Sequence, residues 1–216
     1  MIDWNQYDAL IFDVDGTLYN QKKMRMKMVK CLMKFYLLHW SHWKDLLIIL
    51  YFRKVREQEC YRDKTIDQQY QLVAEHYSKS FEYVKQVITK WMYEEPLHFM
   101  KESIYPEVIS IWREKQKNGA VIIVYSDYPA ADKLRTIGLT ADRIFSADME
   151  EIQELKPSKK AMELIIRETG IDVKRTVYIG DRYEKDGKSA EYASIAYIDV
   201  KELLCNGAIR RHQFGD

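Results

Sequence analysis

Three observations predict an α/β fold: a parallel sheet flanked by helices, with an all-helical domain inserted into it. First, short apolar runs at Ala9–Phe12, Val121–Tyr125 and Thr176–Ile179 read as strands buried on both faces, the pattern of parallel sheets. Second, from Pro106 onward such runs alternate with helical segments. Third, the stretch after Thr17 is helical in pattern up to about residue 103, with no glycine between Gly16 and Gly119. The predicted division is a core of residues 1–20 and 104–216 and a helical domain of residues 21–103.

The first strand ends in Asp13-Val14-Asp15-Gly16-Thr17, two carboxylates two residues apart followed by a glycine. Ligands of open α/β sheets bind just beyond the carboxyl ends of the strands. Two like charges this close call for a cation or a proton to offset them. Gly16 lets the backbone turn away and approach a ligand closely. The inserted segment then reads as helices over 21–38, from Ser41 to about Glu59, from Thr65 or Asp67 to His76, and from Ser80 to Tyr93, with Pro96 opening a short one. Within it, residues 37–52 are the most hydrophobic. His39, His42, Lys44 and Asp45 break that run well short of a membrane span. Leu46, Leu47, Leu50 and Tyr51 recur at helical spacing, which predicts a helix–helix core, with Trp40 and Trp43 joining it or, alternatively, lining a pocket. Residues 21–64 hold twelve Lys or Arg against four Asp or Glu, so this part is basic and the remainder acidic. That excess is either a solvated helix face or a field drawing in an anionic substrate or surface.

In the second half, Pro106 to Asn118 reads as a helix stopped by Gly119, and the strand Val121–Tyr125 leads into Ser126-Asp127. A helix from Pro129 is closed by Gly138, and Arg143 to Ala147 reads as a short strand. Lys156-Pro157-Ser158 precedes a helix closed by Gly170. The strand at Thr176 ends in Gly180-Asp181, with Asp186 five residues on. A helix to Ala193, a strand over 195–198, a short helix near 201–205 and a loose tail from Ile209, with Phe214 able to dock, complete the chain.

Composition is that of an ordinary globular protein, with 47% hydrophobic and 31% charged residues. A net charge of +1 gives no overall case for nucleic acid or membrane binding. Cys31, Cys60 and Cys205 are odd in number and widely spaced, which favours a reducing, cytoplasmic setting. Asp3 and Asp8 ahead of the first apolar run speak against a signal peptide.

In a parallel sheet the three strand ends share one edge, so Asp13, Asp15, Ser126 and Asp181 can converge, with Lys156 in reach. Carboxylates suit a hard cation, Mg2+ best, while a hydroxyl and an ammonium suit phosphate oxygens. The set supports phosphoryl transfer with an aspartate nucleophile.

These four pieces in this order resemble the haloacid dehalogenase superfamily of phosphohydrolases: Asp13 to Thr17, Ser126, Lys156-Pro157, and Gly180-Asp181 with Asp186. The inserted helices resemble that family's helical cap, as in phosphoglycolate-phosphatase-like members. The resemblance implies a Rossmann-like core with a cap of four or five helices and Mg2+-dependent hydrolysis of a small phosphomonoester. It implies that Asp13 is the nucleophile, that Asp15 is the acid and base, and that Lys156 offsets charge. Gly16, Ser126 and Lys156 would bind the phosphate. Asp13, the Asp15 carbonyl, Asp181 and Asp186 would hold the metal. A phosphomutase shares every one of these residues, and a binding protein on the same fold is a further alternative. The expected partner is a small phosphorylated metabolite, without nucleic acid or a transmembrane segment, acting on a monomer or homodimer. The fourth motif is followed by Ala193-Ser194-Ile195 where such members often carry Ala-Gly-Met, a departure confined to a turn. Asp127 is expected to cap the next helix, Arg182 and Glu184 to face solvent or pair locally, and the histidines at 39, 42 and 76 to pack or stay at the surface. Tyr19 and Asn20 are expected to act as a hinge, with contact to substrate the alternative.

Overall fold

The computed structural model describes residues 2–58 and 64–205. Glu59, Cys60 and the tail from Ile209 through Phe214 lie outside the described residues. Five strands form one parallel sheet in the order β3-β2-β1-β4-β5: β1 Ala9–Phe12, β2 Val121–Ser126, β3 Arg143–Ser146, β4 Thr176–Gly180 and β5 Ala196–Asp199. β1 is central, pairing Phe12 with Val124 on one side and Ile179 on the other. All its residues are buried, as its unbroken apolar run requires.

The pleat splits each strand between two cores. Leu10, Phe12, Ile122, Val124, Val177 and Ile179 face one side, where the cluster continues into the helical segment. Ile11, Ile123, Tyr125 and Tyr178 face the other, under α8 (Lys159–Thr169). Trp112 of α6 (Pro106–Lys117) is wholly buried against Phe12, ring centroids 4.8 Å apart.

Between β1 and α6 the described chain is helical: α1 Gln21–Leu38, α2 Lys44–Glu57, α3 Ile66–Tyr77, α4 Phe81–Ile88 and the short α5 Leu97–Met100. Asn20 caps α1 by accepting the Lys23 amide, and Thr65 with Gln68 closes a capping box on α3. The predicted cap at Ser41 is not used. Ser41 lies in a 3-10 turn, Trp40–His42, and α2 begins at Lys44 without a side-chain cap. α4 widens into a π-helical turn over Thr89–Glu94 instead of continuing regularly to Tyr93.

The predicted inner face of α2 is also corrected. Leu46, Leu47 and Leu50, with Trp40 and Trp43 before them, are exposed. The buried stripe is instead Ile48, Ile49, Phe52 and Val55, with Phe52 stacked on Tyr70 of α3. α2 carries two adjacent apolar stripes, and only one meets α3 and α4. His39 stacks on Phe35 and His76 on Tyr51, while His42 lies 3.5 Å from Asp45. No helix of the described chain is long and apolar enough to cross a membrane.

Trp112→Ala removes the largest buried side chain between α6 and β1. It should cost about 3–5 kcal/mol and lower Tm by roughly 10 °C or more. Thermal unfolding followed by circular dichroism measures this, and a fall of only a degree or two would contradict the packing described.

Candidate active site

The carboxyl edge of the sheet gathers the acids. Asp13 follows β1, and its amide donates to the Ile179 carbonyl at 2.9 Å, which extends the ladder by one residue and fixes where its side chain emerges. That side chain is buried, with Oδ2 accepting from Thr17 Oγ1 at 2.9 Å and Oδ1 accepting from Lys156 Nζ at 2.5 Å. Lys156 Nζ also donates to Asp186 Oδ1 at 2.7 Å and to the Tyr125 carbonyl at 3.2 Å. Lys156 is held in turn by Asp127, whose Oδ1 accepts the Lys156 amide at 2.8 Å and whose Oδ2 pairs with Lys185 at 2.8 Å. Asp127 is thus a strut between two loops and not a helix cap: the next helix, α7 (Ala131–Ile137), starts beyond it with no side-chain cap.

Burial pushes Asp13 up to about 8; Lys156 opposes this, while the nearby Asp186 and Asp181 add to it. Asp181 rises to about 6, again mainly through burial and next through Asp186. Burial pulls Lys156 down, but Asp13 and Asp186 outweigh it and hold the ammonium well above its ordinary value. Asp127 stays below the usual carboxylate range despite burial, because Lys185 and Lys156 face it.

One carboxylate oxygen from each of Asp13, Asp181 and Asp186 lies within 4.8 Å of the other two. Two glycines make this possible. A Cβ on Gly16, whose φ is +106°, would come within 2.2 Å of Asp181 Oδ2, and one on Gly180 within 2.4 Å of Asp186 Cβ. An all-oxygen, strongly anionic cluster of this kind fits Mg2+.

Asp15 points elsewhere. Lys133 Nζ donates to its Oδ1 at 2.6 Å and its Oδ2 at 2.7 Å, and the Tyr19 hydroxyl donates to Oδ1. Its side chain is therefore outside the acid cluster, yet it lines the same cavity of about 270 Å³ as Asp13, Lys156, Asp181 and Asp186. Ser126 ends β2, fully buried, with Oγ accepting the Tyr128 amide at 3.2 Å.

Several participants were not anticipated. Lys133 and Thr17 carry no expectation from the sequence, and for Tyr19 the sequence points to a hinge ahead of a substrate contact. A signal for Lys133 existed: it shares an apolar helix stripe with Ala130 and Ile137, a costly place for an unpaired lysine. The contact between α2 and the loop after β4 carried no such signal. There Arg182 pairs with Glu184 at 2.8 Å and with Glu57 of α2 at 3.2 Å; at the loop after β2, Arg56, buried over the Tyr128 ring, donates to the Asp127 carbonyl.

A sequence profile for haloacid dehalogenase-like hydrolases matches residues 7–194. The chain belongs to that family. Three solved structures share the fold. The 2-haloacid dehalogenase of Pseudomonas syringae pv. Tomato DC3000 is 18% identical, with a TM-score of 0.63 over 88% of this chain and 85% of that one. A HAD phosphatase of Thermococcus onnurineus is 17% identical, with a TM-score of 0.60 over 88% and 84%. CbbY of Rhodobacter sphaeroides, in complex with phosphate, is 17% identical, with a TM-score of 0.55 over 89% and 85%. Comparison with curated proteins gives no match.

The raised acids set the pH dependence of cation binding. A cation held by this cluster would have to displace the proton that burial makes Asp13 retain toward pH 8. The rise in Tm produced by millimolar Mg2+ should therefore be small at pH 6 and grow toward pH 8.5, with apparent affinity climbing by up to about tenfold per pH unit. Equal stabilisation at both pH values in a thermal-shift titration would contradict this.

Proposed function

We propose that this chain is a Mg2+-dependent phosphatase that hydrolyses a phosphomonoester through an aspartyl phosphate on Asp13, with residues 21–103 acting as its cap. One observation carries the reading: a buried nucleophile held by Lys156, and a second acid, Asp15, kept apart from the metal-type cluster and facing the same cavity. A departing alkoxide needs a proton and a departing halide does not, so Asp15 favours phosphate esters over carbon–halogen bonds.

Asp13 attacks phosphorus, the bond from phosphorus to the ester oxygen breaks, and Asp15 delivers a proton to that oxygen. Asp15 then takes a proton from water, which attacks phosphorus and breaks the bond to Asp13, releasing inorganic phosphate. In the present arrangement Lys133 and Tyr19 donate to Asp15, the state suited to accepting that proton. Lys133, bound to both oxygens of Asp15, is a positioning residue for that acid. Asp13, Asp181, Asp186 and the Asp15 carbonyl would hold Mg2+, which would supply charge neutralisation. Lys156, Ser126 and the backbone at Gly16 receive the phosphate. The free thiols of Cys31 and Cys205 support a cytoplasmic setting.

Asp13→Asn should lower kcat by 1,000-fold or more with the fold retained, since an amide is a poor nucleophile. Asp15→Asn should cost an alkyl phosphate at least about tenfold more than an aryl phosphate in single-turnover phosphate release, because acid help matters most for a basic leaving oxygen. Equal losses on both esters would remove Asp15 from the acid role.

A further inference from the structure

The cavity that holds Asp13 continues past the carboxylates, between α1 and α2. α1 leads away from the site and α2 leads back to it, so Gln21 and Glu57 mark the inner end. Polarity changes along the way. The waist is lined by Arg25 and Arg53. Met24 stands at the same level, and beyond it the walls are Met28 and Leu32 from α1, which continue from Met24 at intervals of four residues, and Leu46, Ile49 and Leu50 from α2. From Arg25 to Leu32 this apolar stretch runs about 10 Å at the rise of an α-helix. Farther along the chain, Leu37 and Leu38 at the end of α1 and Trp40 after it stand 76%, 73% and 77% exposed. A soluble polar ester would leave this wall wet, at a cost proportional to its apolar area.

The waist points the same way. Arg25 and Arg53 are close enough for Arg53, together with burial, to lower the basicity of Arg25. Two guanidinium groups facing one cavity are relieved by an anionic group between them.

We propose that the substrate is an amphiphile: a phosphomonoester whose head passes the Arg25–Arg53 waist to reach Asp13 and whose apolar chain lies in the groove between α1 and α2. The proposal rests on the phosphatase reading for its chemistry and on the groove for its specificity, and the two are separable by experiment.

Ethyl, butyl, hexyl and octyl phosphate, each kept as monomers, are assayed with Mg2+ for phosphate release. The matching alkyl phosphonates, which cannot be hydrolysed, are titrated calorimetrically into the same protein. Each buried methylene should contribute about two- to fourfold, so octyl over ethyl should gain at least about 50-fold in kcat/KM and in phosphonate affinity. Val29→Gln and Leu50→Gln, both at exposed groove positions, should lower kcat/KM for octyl phosphate at least tenfold more than for ethyl phosphate. Chain-length-dependent phosphonate binding without turnover of any ester would uphold the groove and overturn the phosphatase reading. Turnover and binding that are flat with chain length, or equal losses on both esters in folded variants, would overturn the groove proposal and leave the phosphatase reading standing.

Discussion

The structure depends on one ammonium group. Asp13, Asp181 and Asp186 crowd their carboxylates into a buried corner of the sheet edge, an arrangement that repels itself. Lys156 lies between two of them, 2.5 Å from Asp13 and 2.7 Å from Asp186, and is itself buried. A pair of this kind adds little net stability when formed, yet removing one partner typically costs about 3–5 kcal/mol, because a bare buried charge is left behind. The site therefore stands or falls as a unit, and the raised Asp13 is the residual strain that a bound cation would relieve.

Much of the surrounding chain holds that ammonium and those acids in place. Asp127 grips the Lys156 amide and ties it to Lys185, Thr17 fixes the far oxygen of Asp13, and the absence of a Cβ on Gly16 and Gly180 leaves room for Asp181 and Asp186. The helical segment is bound to the same loops. Glu57 at the end of α2 meets Arg182, and Arg56 reaches the Asp127 carbonyl, so the wall of the groove and the acid cluster are coupled through two short contacts. A movement of α2 would alter the cavity mouth and the loop bearing Asp186 together.

The sheet was legible because its signal is local and repeated. An apolar run on a strand buried on both faces, ending in Asp13, Ser126 or Asp181, states both the element and the position of its end. The acids and Lys156 followed from that shared edge. The helical segment was less legible for a physical reason. Periodicity reports an apolar stripe but not its partner, and α2 has two: Phe52 and Val55 pack inward while Leu46 and Leu50 face the cavity and solvent. Leu46 and Leu50 looked like core because hydrophobicity alone does not distinguish a packing face from a binding face. Lys133 and Glu57 act across long sequence separations, where a side chain's partner is set by tertiary geometry. The α2 start at Lys44 was misread because Ser41, a good cap by type, sits in a 3-10 turn.

The central claim is that Asp13 becomes covalently phosphorylated. Rapid acid quench during turnover of an aryl phosphate with Mg2+, followed by peptide mapping, tests this directly. The account predicts a hydroxylamine-labile phosphoryl group on the peptide carrying Asp13, and none on the Asp13→Asn variant. Turnover with no phosphopeptide under conditions where Asp15→Asn slows the second step, or a phosphoryl group on any other residue, would contradict it.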